Sequence, residues 1–314
     1  VKVVFLGSPE FALHSLKKLY RASQVELVLV VSQPPRKKGR GQQQQPTPVG
    51  SFAREKGLEL LEIADINSET GLSKIEKMRP DYLVVVAFGQ ILKAELLKLP
   101  RRAAINLHAS LLPKYRGASP INQALIEGEK FTGVSTMLMD EGLDTGDILL
   151  QSRVRIEPDD TAGSLHDRLA FEGAELLLKT LLKYDEGEIE PVPQKEEKAS
   201  YAARLSRDDG RIDFARPARE VYNFIRGNNP WPGAFTGFRG QKIKVWQAEV
   251  SERESESSKP GSILRASPEQ GLLVATADYG LKLTELQLPG KKRMSARDFV
   301  CGYQPEVGER LTAP

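Results

Sequence analysis

"AAINLHASLLPKYRGASPINQALIEG", residues 103–128, decides how the first part of the chain folds. It opens on a short apolar run, "AAINLH" at 103–108, and closes on a segment with helical spacing, "SPINQALIEG" at 119–128. Ser119 suits an N-cap, Pro120 a first helical position and Gly128 a stop. A strand that passes through a turn into a helix is one unit of a parallel sheet. The same unit recurs upstream, where apolar runs at 2–7, 25–32 and 81–88 alternate with helical segments at 9–21 and 48–57. In the first of these helices Phe11, Leu13, Leu16, Leu19 and Tyr20 fall largely on one face, with Ser8 as the cap and Pro9 in the first turn. The alternation predicts an α/β domain whose mostly parallel sheet is covered on both faces. Ligands of such sheets bind beyond the carboxyl ends of the strands, and Asn106 and His108 stand at such an end.

The texture changes after a long amphipathic segment at 162–183. Residues 183–200 are charged, carry prolines and hold few apolar side chains, which reads as a linker. Beyond them come short strand-like runs at 232–249, 260–265, 271–277 and 280–288, punctuated by Gly and Pro. They predict a small β-rich domain, a partly open barrel, with one helix at 217–227 and a solvated loop at 251–261. "NNPWPGAF" at 228–235 reads as a rigid turn. The expected division is therefore 1–187, a linker at 188–205, and 206–314.

Composition narrows the classes. The 314 residues include 40% hydrophobic and 28% charged side chains, with a net charge of +3, so nucleic-acid binding must come from local clusters. The single cysteine, Cys301, excludes an internal disulfide. "VKVVFLG" at 1–7 lacks the build of a signal peptide, and "LVLVV" at 27–31 is too short to span a membrane. A cytoplasmic protein is expected. The turn after the first strand, "GSPEFA", is not G-x-G-x-x-G, which disfavours a dinucleotide site. Neither a phosphate-binding P-loop nor zinc spacing is visible, and no metal is expected.

Three polar residues carry the chemistry. Asn106 and His108 lie at a strand end, and Asp144 lies in the Gly-bracketed "MDEGLDTGDIL" at 139–149. A histidine can donate to an oxyanion or move a proton near neutral pH. An Asn amide adds a fixed donor, and a carboxylate orients the imidazole. Together they suit acyl transfer through a tetrahedral intermediate. The plain alternative is a packed histidine and an Asp-Thr-Gly turn.

Basic residues form the other candidate. "QPPRKKGRGQQQQPTP" at 33–48 is long for its place between a strand and a helix, holds Arg36, Lys37, Lys38 and Arg40, and has no acidic residue. Such an insertion would meet phosphates and order on binding, the alternative being a solvated surface loop. In the second domain Arg239, Lys242 and Lys244, with the "KKR" at 291–293, read more readily as a solvated face than as a contact surface.

"INLHASLLPKYRG" with the later "GLDTGDIL" resembles the folate-dependent formyltransferase family. "VFLGSPEFA", the basic Gly-rich insertion and "NNPWPGAF" extend the resemblance over nearly the whole chain. It implies a Rossmann-like first domain that takes 10-formyltetrahydrofolate as co-substrate, and an OB-like barrel that supports an initiator methionyl-tRNA. It implies Asn106, His108 and Asp144 as the catalytic set. It places the folate against Phe88, Gly89, Gln90, Ile91 and Leu92, the turn Ser110, Leu111, Leu112 and Pro113, and Met139, Asp140 and Glu141. The tRNA would follow Arg36, Lys37, Lys38 and Arg40, with Arg239, Lys242 and Lys244 on the barrel. A monomer is expected. Formyl transfer to glycinamide ribonucleotide or an amino sugar nucleotide would explain the trio equally well, and a protein that only binds RNA would explain the basic segments.

Overall fold

The computed structural model describes residues 1–38, 41, 43–254 and 258–312. The first half runs β1 (Lys2–Gly7), α1 (Glu10–Arg21), β2 (Glu26–Ser32), β3 (Arg36–Lys38), β4 (Gln43–Gln45), α2 (Pro48–Glu55) and β5 (Leu60–Glu62). It continues through α3 (Glu69–Met78), β6 (Tyr82–Val86), α4 (Ala94–Leu97), β7 (Ala103–His108), β8 (Arg116–Gly117), α5 (Pro120–Ile126), β9 (Phe131–Leu138), β10 (Ile148–Arg155) and α6 (Ala162–Asp185). Then come β11 (Tyr201–Ala202), α7 (Ala218–Gly227), β12 (Phe235–Phe238), β13 (Gln241–Glu254), β14 (Ile263–Ser267), β15 (Gly271–Ala275), β16 (Tyr279–Gln287), β17 (Met294–Ser295) and α8 (Ala296–Tyr303).

The chain divides into two compact units. One holds residues 1–120, 131–155 and 166–202; the other holds 121–130, 156–165 and 203–314. The first unit is built on a seven-stranded sheet in the order β10-β9-β7-β6-β1-β2-β5. β7, β6, β1, β2 and β5 run parallel, while β9 lies antiparallel between β7 and β10. All five residues of β6, "YLVVV", are buried, as a strand covered on both faces requires. One face carries a core of Val4, Leu6, Leu83, Val85, Ile75 and Leu96. On the other, α6 comes so close at Gly173 that a Cβ there would stand 2.8 Å from the Leu107 side chain. Ala104, Asn106 and His108 alternate with Leu107 along β7 and so share the face opposite α6.

Several local expectations are corrected. Ser8 does not cap α1. The cap is Pro9, without a side-chain bond, and the Ser8 hydroxyl instead accepts the Gln33 N–H at 3.0 Å. Thr47, one residue before the proline that opens α2, supplies a true cap to Gly50 at 2.9 Å. The insertion at 33–48 is not structureless: β3 and β4 form an antiparallel hairpin, with Arg36 opposite Gln45 and Lys37 opposite Gln44. Gln43–Gln45 pair with the basic run through their backbone. The segment 188–205 is not a free linker, because residues up to Ala202 belong to the first unit and β11 pairs with β8.

The second unit is an antiparallel sheet in the order β12-β13-β16-β15-β14, with β17 beside β16. Its core includes Phe214, Val245, Ile263, Leu281, Leu283 and Phe299. The run read as one strand at 232–249 is broken by a two-residue turn, Arg239–Gly240, with φ values of +48° and +74°. Positive φ at both positions makes the turn that matches strand twist. β13 continues through Glu254 into the segment expected to be a loop. The C-terminal residues then tie the open edges together. Gly237 of β12 exchanges hydrogen bonds with Thr312, and Ile263 of β14 pairs with the segment at Gly308 and Glu309. An edge strand covered in this way offers no template for further pairing. Among the described residues, no helix is long and apolar enough to cross a membrane.

Candidate active site

β7 ends in the site. Asn106 stands between Val85 of β6 and Met137 of β9, and His108 stands opposite Ser135 of β9. Both side chains are buried, with 9% and 6% exposure. The His108 ring has two partners. Its Nε2 lies 2.9 Å from the Tyr115 carbonyl, and its Nδ1 lies 3.6 Å from Asp144 Oδ2. A carbonyl only accepts, so Nε2 carries a hydrogen in this arrangement. Nδ1 faces the carboxylate, at a separation just beyond a hydrogen bond. The Asn106 carboxamide hydrogen-bonds to no side chain or backbone group among the described residues. Neither of its polar atoms is among those sealed from solvent, so the amide is open to a ligand.

Asp144 is held from several sides. It sits in the left-handed region with φ +55°, and its Oδ2 accepts the Gly117 N–H at 2.8 Å. Within its own loop, the Asp140 carboxylate accepts the Gly142 N–H at 3.0 Å and the Thr145 hydroxyl at 2.8 Å. Gly146 packs so tightly that any Cβ there would collide with the Leu138 carbonyl. From outside, the Gln194 side-chain amide donates to the carbonyls of Asp144 and Gly146 at 2.8 and 2.7 Å. Gln194 Oε1 accepts from Arg116 Nε at 3.1 Å, and Arg116 is 1% exposed. Burial opposes the Arg116 charge, but Glu196 at 2.9 Å and the Tyr201 hydroxyl outweigh it and raise its proton affinity. Sequence reasoning missed Gln194 and Arg116; an amide within a polar stretch carries no local signal.

The residues expected around the folate form two walls. Ala87 and Gly89 turn the backbone through positive φ, and Phe88 and Leu92 between and beyond them are buried. The Gln90 side chain is engaged, accepting the Ile66 N–H at 2.8 Å and donating to the Ile63 carbonyl at 3.2 Å. Ile91 is exposed, with its carbonyl accepting from Asn67 at 2.9 Å. Across the sheet edge, Met139 N–H binds the Ala104 carbonyl, while Asp140 is spent on its own loop and Glu141 is exposed. The turn of Ser110, Leu111, Leu112 and Pro113 faces inward. Its four carbonyls accept from Ser135, Lys114, Gln151 and Ser200 respectively. Ser110 donates to the Lys114 carbonyl at 2.6 Å.

The basic residues fall into three states. In the hairpin, Arg36 and Lys37 are exposed, and Arg36 reaches Gln33 at 3.1 Å. Arg40 and the Lys38 side chain lie outside the described residues. In the second unit, Arg239 is already committed: it grips Glu309 at 2.8 Å and the carbonyls of Tyr303 and Gln304. Lys242 and Lys244 instead lie over aromatic faces, 3.2 Å from the Phe235 ring centre and 4.9 Å from that of Trp246, which Arg293 also covers at 3.8 Å. Burial, then repulsion from Lys242, Arg293 and Arg207, pushes the Lys244 ammonium below its usual range. Such a cluster gains most from an anion. Among the described residues, no group of His, Cys, Asp and Glu is placed to hold a metal ion.

Comparison with known proteins establishes the family. Residues 1–181 match the formyl transferase family and residues 204–304 match the formyl transferase C-terminal domain. The chain is 46% identical to the methionyl-tRNA formyltransferase of Halothermothrix orenii over 99% of this chain and 100% of that one. It is 43% identical to the protein of the same name from Acetivibrio thermocellus, with 99% of each covered. Among solved structures, the sugar 3N-formyl transferase WlaRD, crystallised with dTDP and 5-N-formyl-THF, superimposes with a TM-score of 0.65 at 19% identity, over 93% of this chain and 99% of that one. HypX from Aquifex aeolicus, in complex with tetrahydrofolic acid, superimposes with a TM-score of 0.61 at 16% identity, over 99% of this chain and 50% of that one. At such identities these two speak for the fold alone. The two family matches and the full-length relatives settle the lineage: this chain belongs to the formyl transferase family.

Proposed function

We propose that the chain transfers a formyl group from 10-formyltetrahydrofolate to the α-amine of methionyl initiator tRNA, the activity for which its full-length relatives are named. The observation that carries the reading is the Asn106 carboxamide. It makes no hydrogen bond to another described residue, is open to a ligand, and stands two positions along one strand face from His108, whose ring lies 3.6 Å from Asp144. Nothing in a purely structural role needs that donor left open. The surroundings fit a flat heterocycle: buried Phe88 and Leu92 give an apolar wall beside the positive-φ turns at Ala87 and Gly89. Phe88 to Leu92 and Met139 to Glu141 would hold the folate, chiefly by backbone, because the Gln90 and Asp140 side chains are engaged.

When bound, the folate supplies a formyl carbonyl on N10 that becomes tetrahedral and anionic as the amine adds. Asn106 donates to that oxygen, and His108 adds a second donor when one ring N–H turns from the Tyr115 carbonyl or Asp144 toward it. Asp144 orients the imidazole and helps relay the proton leaving the amine to N10, which departs as the tetrahedral centre collapses and the C–N10 bond breaks. The acceptor needs little help to lose its charge, since a free α-amine titrates at about 7.7–8.0. Arg36, Lys37, Lys38 and Arg40 contact the tRNA backbone, and Lys242 and Lys244 contribute from the barrel. Every group invoked belongs to one chain, which supports action as a monomer, and a charged tRNA substrate supports a cytoplasmic setting.

The test is a formyl-transfer assay with charged initiator tRNA, charged elongator tRNA and free methionine side by side. Rapid transfer to the initiator alone is expected. Equal transfer to free methionine, or none to any of the three, would overturn the reading.

A further inference from the structure

We infer that Gln194 is a positioning residue for the transfer reaction, held in register by the buried Arg116 and acting only through Asp144. The inference rests on the reaction proposed above. Its observations lie in the stretch that the sequence presents as a linker.

The Gln194 carboxamide is fully used. Both hydrogens go to carbonyls of the acidic loop, those of Asp144 and Gly146, at 2.8 and 2.7 Å. Its oxygen accepts from Arg116 Nε at 3.1 Å. Arg116 is itself clamped by Glu196, so the amide cannot turn over without losing three bonds. Asp144 is a non-glycine residue at φ +55°, a conformation that persists only where surroundings over-determine it. Gln194 fixes the backbone end of that residue, and the Gly117 N–H fixes the carboxylate end at 2.8 Å.

The two clamps share one support. Arg116 and Gly117 form β8, which pairs with Tyr201 and Ala202 of β11. The Arg116 N–H binds the Ser200 carbonyl at 2.8 Å, and the Tyr115 N–H binds the Ser200 hydroxyl at 3.0 Å. Tyr115 in turn offers the carbonyl that faces His108 Nε2. One segment, 194–202, therefore sets the position of both the acid and the imidazole. A displacement of about 1 Å at a reacting group lowers turnover by roughly a hundredfold, which is the scale at stake.

The experiment is a double-mutant cycle on the full chain. Gln194→Leu removes both donors, and Gln194→Glu, equal in size, keeps the partner for Arg116 while presenting no hydrogen to the two carbonyls. Each is made alone and with Asp144→Asn. We expect each single variant to lower kcat by about ten- to a hundredfold. The KM for charged tRNA should stay within about twofold, since none of these atoms contacts tRNA in the proposed scheme. In the Asp144→Asn background the same substitutions should cost almost nothing further, because the group they position is already gone. An equal loss in both backgrounds would show a merely structural role and overturn the inference, as would unchanged kcat in the single variants. If the Leu variant does not fold, the Glu variant decides. Asp144→Asn alone tests the proposed reaction, so the failure of that reading and the failure of this one are separable.

Discussion

Two exposed turns, neither with a core of its own, are built to opposite ends. The loop from Asp140 to Gly146 is over-determined. Asp140 ties it from within, Gln194 and Gly117 hold Asp144 from either side, and Gly146 leaves no space for a side chain. Among the described residues, β3 and β4 form a two-stranded sheet of their own, and a lone two-stranded ribbon is marginal in water. Its Arg36 and Lys37 project into solvent. The contrast follows the task. In the proposed reaction the first turn would serve a proton and an oxyanion, which need groups fixed to a fraction of an ångström, and the second a phosphate backbone, which charges can meet without such precision. Rigidity is spent where bonds change.

The largest expected effect breaks the rigid side outright. Asn106→Ala and Asp144→Asn should each lower kcat by roughly 100- to 1,000-fold, with the KM for charged tRNA nearly unchanged. Single-turnover kinetics check this. Near-normal turnover in Asp144→Asn would remove the acid from the mechanism and leave the comparison without its first term.

Gly117→Ala sharpens the same side. Gly117 has φ +109°, and a Cβ there would stand 2.7 Å from the Ala202 carbonyl. Strain of this kind costs about 1–3 kcal/mol, so a lowered midpoint in thermal unfolding is expected together with reduced kcat. A normal kcat in a folded variant would mean that the Gly117 N–H does not position Asp144.

The adaptable side should respond differently. Replacing Arg36 and Lys37 by Ala should reduce kcat/KM for charged tRNA and lower the slope of its logarithm against log salt by about 2, with kcat at saturation preserved. Identical slopes in parent and variant would reduce the hairpin to a solvated ornament. Arg239→Ala should leave that slope alone, because its guanidinium is committed to Glu309.

The smallest effect concerns the barrel and acid. Burial alone would push the Asp278 carboxyl up, but N–H groups of Ala218 and Tyr279 and the Thr276 hydroxyl outweigh it and hold the group below the usual carboxylate range. A depressed folded-state pKa means that this stabilisation is present above the unfolded value of about 3.9 and is lost as pH falls below it. Asp278→Asn should therefore be less stable at neutral pH and show a flatter decline in stability on acidification. Parallel pH profiles for parent and variant would place the stabilisation elsewhere.

Much of this was legible in local pattern. Alternating apolar and helical runs marked the parallel sheet, and the run at 103–108 put Asn106 and His108 at a strand's carboxyl end, where β7 has them. The insertion, read as a loop or a segment that orders on binding, and Ser8, read as a cap, were misread for one reason. The partners, Arg36 to Lys38 for Gln43–Gln45 and Gln33 for Ser8, are chosen by backbone geometry, and polar side chains leave no periodic mark when they join a strand or abandon a cap. Arg239 read as a free charge because Glu309, its partner, lies 70 residues away.

By itself, the sequence determined the order of elements, the burial of β6 and β7, and the residue types at the strand end, since each of these is a matter of spacing along the chain. Only the tertiary structure decided that a polar stretch near residue 194 holds the acid, that the C-terminal segment seals the barrel edges, and which cations remain available. Hydrogen bonds between residues 50 or 78 positions apart cost the chain nothing in local pattern, so they are written only in the folded geometry.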